Sequence, residues 1–220
     1  MTKRLIVNGD DFGISPGVNA GLIRAHQEGI LSSASMMVDT PYSAEAALLG
    51  AEHPALGLGV HAVIDSRADA ADAEADVERQ LERFVELAGR LPTHIDSHRN
   101  VHQDERLLPA FLAVARRHRL PLRGSCDVLQ ISAFYGQWSG ETHAEQISAA
   151  SLVGLLAEAV GEGVSELCCH PGYVDGHLVA VSSYTLERQT ELATLCDPVV
   201  AAALDEEGIH LATFREVGGP

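Results

Sequence analysis

The sequence has 220 residues, and 46% of them are hydrophobic, which is enough for one substantial core. Its 31 acidic residues outnumber its 15 basic residues, so the formal net charge is −16. Because such a charge repels phosphate backbones and anionic lipid, we expect neither nucleic acid nor a membrane surface as a partner.

The N-terminus and the cysteines bear on where the protein resides. The segment MTKRLIVNGDD has only a short apolar run before two acids, whereas a signal peptide needs a longer one. The four cysteines lack the C-x-x-C spacing of metal or redox sites. We therefore expect a cytoplasmic protein with reduced thiols, and we assign no cysteine a role.

Strand-like and helix-like segments alternate along the chain. The first helix has clear boundaries, with Ser15 as its cap, Pro16 in its first turn and Gly29 at its end. We predict strands at 4–8, 35–38, 57–64, 93–96, 120–123, 166–169 and 209–213. We predict helices at 16–28, 44–52, 73–87, 107–118, 149–160, 184–195 and 198–207. The stretch 124–146 is predicted to be an irregular loop, either at the active site or on the surface, and 171–183 is predicted to be another loop.

This alternation predicts an α/β fold with about seven mainly parallel strands. Such a sheet could close into a barrel or stay open and doubly wound, and the spacing does not choose between them. In both arrangements ligands bind at the carboxyl ends of the strands. No linker or repeat divides the chain, so we predict a single domain over residues 1–220.

Polar clusters follow the predicted strands repeatedly. They are the motif GDDFG at 9–13, His61, the motif HIDSHRNVH at 94–102, Arg123 and His170. The carboxyl ends of parallel strands lie on one side of a domain, so these clusters are expected to converge on one site.

Asp10 and Asp11 permit two interpretations. Adjacent acids between a strand and a helix often cap the helix or lie in a solvated turn. Alternatively, one acid ligates a cation while the other takes a proton from water.

The histidines near the third and fourth strands are candidate ligands. His61 shares a strand face with two glycines at period 2, which predicts open space beneath its imidazole. His94, Asp96 and His98 share a face if their strand continues, and His98 would then lie nearest the site. His94 and Asp96 could orient it, and His102 could share a helix face with it.

One carboxylate and two imidazoles suit a divalent cation, although non-haem Fe(II) oxygenases use the same ligand types. His170 could protonate a leaving amine, because a histidine pKa lies near neutrality, or it could be a turn residue without a role. Arg123 could pair with Asp10 and keep it ionised, or it could be a surface cation.

At these residues the chain resembles the YdjC-like (ChbG/HpnK) family of carbohydrate deacetylases. The matching segments run in order over nearly the whole chain. They are LIVNGDDFGISPGVNAGLIRA, GLGVHAVI, PTHIDSHRNVH, ELCCHPGYVD and SYTLERQTEL. The chain departs from the family pattern at Arg99-Asn100 and in a short segment after His61, which bear on the substrate.

The resemblance implies an irregular (β/α) barrel that removes acetyl groups from N-acetylated amino sugars such as chitooligosaccharides. It implies one divalent metal ion, Mg²⁺ or Zn²⁺, held by Asp11, His61 and His98. It suggests Asp10 as catalytic base and His170 as general acid. The residues expected around the ligands or the carbohydrate substrate are His94, Asp96, His102, Arg123 and Tyr173.

Two other functions remain open from the sequence. A glycosidase would use Asp10 with another carboxylate and would need no metal. A non-catalytic protein on the same fold would bind a sugar or a metal without changing it. A homodimer is a further expectation.

Overall fold

The computed structural model describes residues 2–220 and contains a seven-stranded sheet in which every pairing is parallel. Its strands are β1 (Lys3–Phe12), β2 (Ser33–Met36), β3 (Gly57–Ala62), β4 (Ile95–Ser97), β5 (Leu129–Ile131), β8 (Gly163–Cys169) and β9 (Ile209–Leu211). Their order in the sheet is β4-β3-β2-β1-β8-β5, and β9 pairs with the first residues of β1. A separate hairpin consists of β6 (Gln137–Trp138) and β7 (Glu141–Thr142).

Eight α-helices are present among residues 2–220. They are α1 (Pro16–Glu28), α2 (Ser43–Glu52), α3 (Ala70–Ala88), α4 (Leu108–His118), α5 (Ala149–Ala159), α6 (Gly176–Val181), α7 (Leu186–Leu195) and α8 (Pro198–Glu206). The sheet curls into a half-barrel with these helices, which confirms the predicted irregular α/β barrel. None of these helices combines the length and the apolar character that a membrane span requires.

The fifth predicted strand is wrong, because 120–123 forms only an isolated bridge from Leu122 to Ile95 beside β4. Pro121 accepts a hydrogen bond from the Ile95 amide at 2.8 Å, but it has no N–H to extend the ladder. Gly124 then turns the chain away with a φ of +71°. The two predicted loops also contain regular structure, namely β5 and the β6–β7 hairpin in one and α6 in the other.

The two adjacent acids lie inside β1 and not in a loop after it. The pairing of β1 with β2 shifts register between Gly9 and Phe12, and Asp11 within this bulge has a φ of 67°. Ser15 caps α1 by accepting a hydrogen bond from the Val18 amide. Both acids are buried, so the interpretation as helix caps or solvated turn residues is wrong.

The space beneath His61 is occupied, contrary to the prediction of an open gap beside the two glycines. A Cβ at Gly59 would lie 2.2 Å from Cε1 of His94. The His94 ring is buried and stacks on Phe214 with 3.9 Å between ring centroids. The absence of a side chain at Gly59 therefore leaves room for the His94 ring, which packs in the interior next to β3.

We expect Gly59→Ala to destabilise the protein by about 1–3 kcal/mol, because the new methyl group overpacks a buried ring. Gly154→Ala on α5 is the matched control, since a Cβ there meets nothing within 4 Å. It should be neutral or stabilising by about 0.5–1 kcal/mol. Urea denaturation measures both, and equal free energies of unfolding for the two variants would contradict this account of Gly59.

Candidate active site

Asp10 is held by a buried arginine. Nη1 and Nη2 of Arg123 donate to the two Asp10 carboxylate oxygens at 2.9 and 2.8 Å. The same guanidinium pairs with Asp96 at 2.8 Å and Glu166 at 2.7 Å. Burial raises the pKa of Asp10, but the positive charges of Arg123 and His61 outweigh burial and lower that pKa to about 2. Asp10 is therefore ionised at neutral pH.

Three further side chains orient the Asp10 carboxylate. Asn8 Nδ2 and Ser35 Oγ donate to its Oδ1 at 2.9 and 3.2 Å. The Cys168 thiol donates to its Oδ2 at 3.4 Å. Sequence reasoning assigned none of these residues a role, although Asn8 is a polar residue in the buried strand β1, and that was a usable signal.

Asp11, His61 and His98 come together across the carboxyl ends of β1, β3 and β4. One ligand atom from each lies within 4.8 Å of the others. Oδ1 of Asp11 is 3.3 Å from Nε2 of His61 and 3.2 Å from Nδ1 of His98. Asp11 and His61 are buried, whereas the His98 side chain is 33% exposed.

The donor set of this cluster fits a divalent cation. Nδ1 of His61 lies 2.7 Å from Oδ1 of Asp96, which accepts the ring proton. Burial lowers the pKa of His61, but Asp96, Asp10 and Asp11 outweigh it and raise that pKa to about 10. The Nε2–H of the protonated ring therefore donates to Oδ1 of Asp11, and a divalent cation would replace this proton between the same two atoms. A carboxylate that fixes the ring of a ligating histidine is a common feature of metal sites.

Arg188 supports Asp11 from the other side, and sequence reasoning missed it. Its Nη2 donates to Oδ2 of Asp11 at 2.6 Å, and its Nε donates to the carbonyl of Tyr184 at 2.9 Å. Burial raises the pKa of Asp11, but Arg188 and the two histidines outweigh it and hold that pKa well below its usual value. Arg188 thereby leaves only Oδ1 of Asp11 to face the histidines.

His170 follows β8 and lines the same cavity as the two acids. Its backbone N–H donates to the buried carboxylate of Glu191, which also accepts the Tyr184 hydroxyl. Burial lowers the pKa of His170 to about 4, against the opposing charges of Asp10 and Asp11. The imidazole is thus neutral at neutral pH in the free protein.

The cavity has a volume of about 440 Å³. Asp10, Asp11, His61, His98 and His170 all line it. Its remaining wall comes from Ile14, Cys168 and Arg188, from Arg99-Asn100 and from parts of segments 132–135 and 181–184.

The other sequence-predicted residues lie outside this cavity. His94, Asp96 and Arg123 are buried beneath it, and His102 is buried against Ser97, whose Oγ is 2.7 Å from its Nδ1. Arg99 and Asn100 have φ values of 57° and 52° and interrupt the helical turn, so His102 does not join His98 beside Asp11. Tyr173 lines a different pocket, where it accepts a hydrogen bond from Arg24 at 3.0 Å. It is therefore not part of the candidate site.

A half-barrel with an aspartate and two histidines at the carboxyl ends of its strands defines a class of α/β proteins with a candidate metal centre. The family model described as YdjC-like protein matches residues 4–71 and 63–206. The chain belongs to the YdjC-like family.

Relatives resemble the chain over almost its whole length. A carbohydrate deacetylase of Geobacillus stearothermophilus is 37% identical, with 98% of each chain covered. A chitooligosaccharide deacetylase of Serratia marcescens is 34% identical, over 99% of this chain and 100% of the relative.

Solved structures share the fold. A proposed cellobiose-phosphate cleavage protein from Enterococcus faecalis V583 superposes with a TM-score of 0.88 at 29% identity, covering 98% of this chain and 99% of that one. A family 4 carbohydrate esterase from Streptomyces lividans, solved with acetate, gives a TM-score of 0.64 at 14% identity, over 99% and 97% of the two chains. The second likeness concerns the fold alone.

We expect Arg188→Met to lower the affinity for a divalent cation about 10- to 100-fold, because Asp11 loses the partner that orients it. Arg24→Met is the control, since Arg24 is an exposed arginine that pairs with Glu28. Isothermal titration calorimetry with Zn²⁺ measures the affinities, and an Arg188 variant that binds as tightly as the parent would contradict this role.

Proposed function

We propose that the protein is a metal-dependent hydrolase that removes acetyl groups from N-acetylated amino sugars of the chitooligosaccharide type. The observation that carries the proposal is the Asp11–His61–His98 cluster beside the ionised Asp10 in one cavity. Relatives named as carbohydrate and chitooligosaccharide deacetylases support the substrate class.

Asp11, His61 and His98 would hold the ion, which supplies a Lewis acid that polarises the acyl carbonyl and makes water more acidic. Two imidazoles favour Zn²⁺ over Mg²⁺, since Mg²⁺ prefers oxygen ligands. Asp96 keeps the His61 ring in the tautomer that a ligand needs, and Arg188 keeps Asp11 ionised and oriented.

Asp10 acts as the general base in this proposal. Its carboxylate lies at the cavity next to the cluster and is kept ionised by Arg123, so it can accept a proton from the attacking water. The hydrogen bonds from Arg123, Asn8 and Ser35 fix its direction, so that no reorganisation is needed when the proton moves.

His170 acts as the general acid that protonates the departing amine. The negative charges of Asp10 and Asp11 already favour its protonated form. Negative charge that develops on the attacked acyl group favours it further, so His170 takes up a proton from solvent and passes it to the nitrogen as the C–N bond breaks. Its neutral state in the free protein therefore does not prevent this role.

We expect Asp10→Asn to retain metal binding and to lose about 10²–10⁴-fold in turnover, because the base is removed and the ligands stay. The measurement is acetate release from N-acetylated chitooligosaccharides, with calorimetry of Zn²⁺ binding alongside. Asp65→Asn, an exposed acid paired with Arg67, is the matched control and should behave like the parent.

The same assay with a chelator separates the alternatives. A deacetylase loses acetate release on chelation and regains it on addition of Zn²⁺ or Mg²⁺. Cleavage of the glycosidic bond that persists with chelator would indicate the carboxylate glycosidase. Sugar binding without any reaction would indicate a non-catalytic protein.

We expect His170→Ala to discriminate between leaving groups. Hydrolysis of an N-acetyl sugar should fall about 10²–10⁴-fold, because the amine must be protonated as it leaves. Hydrolysis of p-nitrophenyl acetate should fall far less, since nitrophenolate leaves without a proton. Equal losses on both substrates would show that His170 does not act as the acid.

A further inference from the structure

Tyr135 presents an aromatic ring to the cavity. It lies between β5 and β6, within the segment 124–146 that the sequence predicts to be a loop, and it is 40% exposed. One face of its ring stacks on Tyr184, with 4.7 Å between centroids and 10° between planes. The opposite face of the ring is therefore not covered by Tyr184, and Tyr135 lines the cavity.

The ring is held firmly in this position. Tyr184 accepts a hydrogen bond from the Gly136 amide at 3.0 Å and donates to the buried carboxylate of Glu191. Glu187 on α7 accepts hydrogen bonds from Gln137 and Thr142 and so ties the β6–β7 hairpin to the barrel. A ligand that packs on Tyr135 meets a preorganised surface, which reduces the entropy lost on binding.

Tyr135 also lies beside the proposed acid. Its ring centroid is 6.1 Å from that of His170, at an angle of 72°. Because His170 is proposed to protonate the amine that stays on the sugar, the sugar ring must lie next to His170. The side of the cavity formed by Tyr135 is then where the sugar ring can lie, whereas the Asp11 cluster marks the side of the acyl group.

We propose that the free face of Tyr135 is the platform on which the pyranose ring of the amino sugar packs. A pyranose presents C–H groups on one face, and these contact the face of an aromatic ring while the hydroxyls remain available for hydrogen bonds. Val181, which is 54% exposed, adds a second apolar contact at the cavity. This inference rests on the proposed function and names the residue that recognises the sugar.

The test compares Tyr135→Ala with Tyr135→Phe and with Trp138→Ala. Trp138 is a matched aromatic residue in the adjacent hairpin, 46% exposed, but it stacks on His143 and does not line the cavity. Steady-state kinetics with N,N′-diacetylchitobiose and with p-nitrophenyl acetate give KM and kcat for each variant. Thermal melting checks that each variant is folded.

We expect Tyr135→Ala to raise the KM for the sugar about tenfold or more, since ring stacking is lost. The loss in kcat/KM should be about tenfold larger for the sugar than for the ester, which has no pyranose. Tyr135→Phe keeps the ring and should stay within about threefold of the parent in KM, and Trp138→Ala should match the parent.

Three results would overturn the platform. Equal losses on sugar and ester would mean that Tyr135 acts through His170. A Phe variant as impaired as the Ala variant would assign the effect to the hydroxyl group. A Trp138 variant with the same rise in KM would show that the effect is not specific to the cavity. If the parent itself releases no acetate from any sugar, the proposed function fails first, and this outcome is distinct from all three.

Discussion

The site depends on one buried cation, the guanidinium of Arg123, which is 2% exposed and contacts three carboxylates. Without it the buried carboxylates of Asp10, Asp96 and Glu166 would lose their shared cationic partner, and an unpaired buried ion costs several kcal/mol. Arg123 reaches them because the chain beside β4 makes a single bridge and then turns away at Gly124. Because residues 120–123 form only an isolated bridge, Arg123 can reach the three carboxylates.

A chain of polar contacts connects this cation with the proposed metal ligands. Arg123 pairs with Asp96, and Asp96 contacts Nδ1 of His61. Nε2 of the same ring contacts Asp11. The bulge in β1 sets Asp10 and Asp11 toward different partners, although they are adjacent in the chain. Each acid has its own arginine, and this separation suits a base and a ligand that must remain distinct.

The sequence predicted the phasing of polar clusters after strands, because that phasing depends only on parallel pairing and on local strand patterns. It could not predict Arg188 or Glu191, which occur inside the regular helix α7 and resemble solvated surface charges there. Their burial results from the packing of α7 against the carboxyl ends of the strands, a long-range contact without a local signal. The strand β5 in segment 124–146 was not predicted either, because it has only three residues and is defined by its pairing with β8.

The two arginines differ in what they leave unpaired. Arg123 makes fork-like contacts with both oxygens of Asp10, so it fixes the carboxylate and saturates much of its hydrogen-bonding capacity. Arg188 contacts only Oδ2 of Asp11 and leaves Oδ1 toward the histidines. A lysine offers a single point charge and could not reproduce the two-oxygen contact of Arg123. The planar fork of Arg123 and the one-oxygen contact of Arg188 are what assign the two neighbouring acids to different tasks.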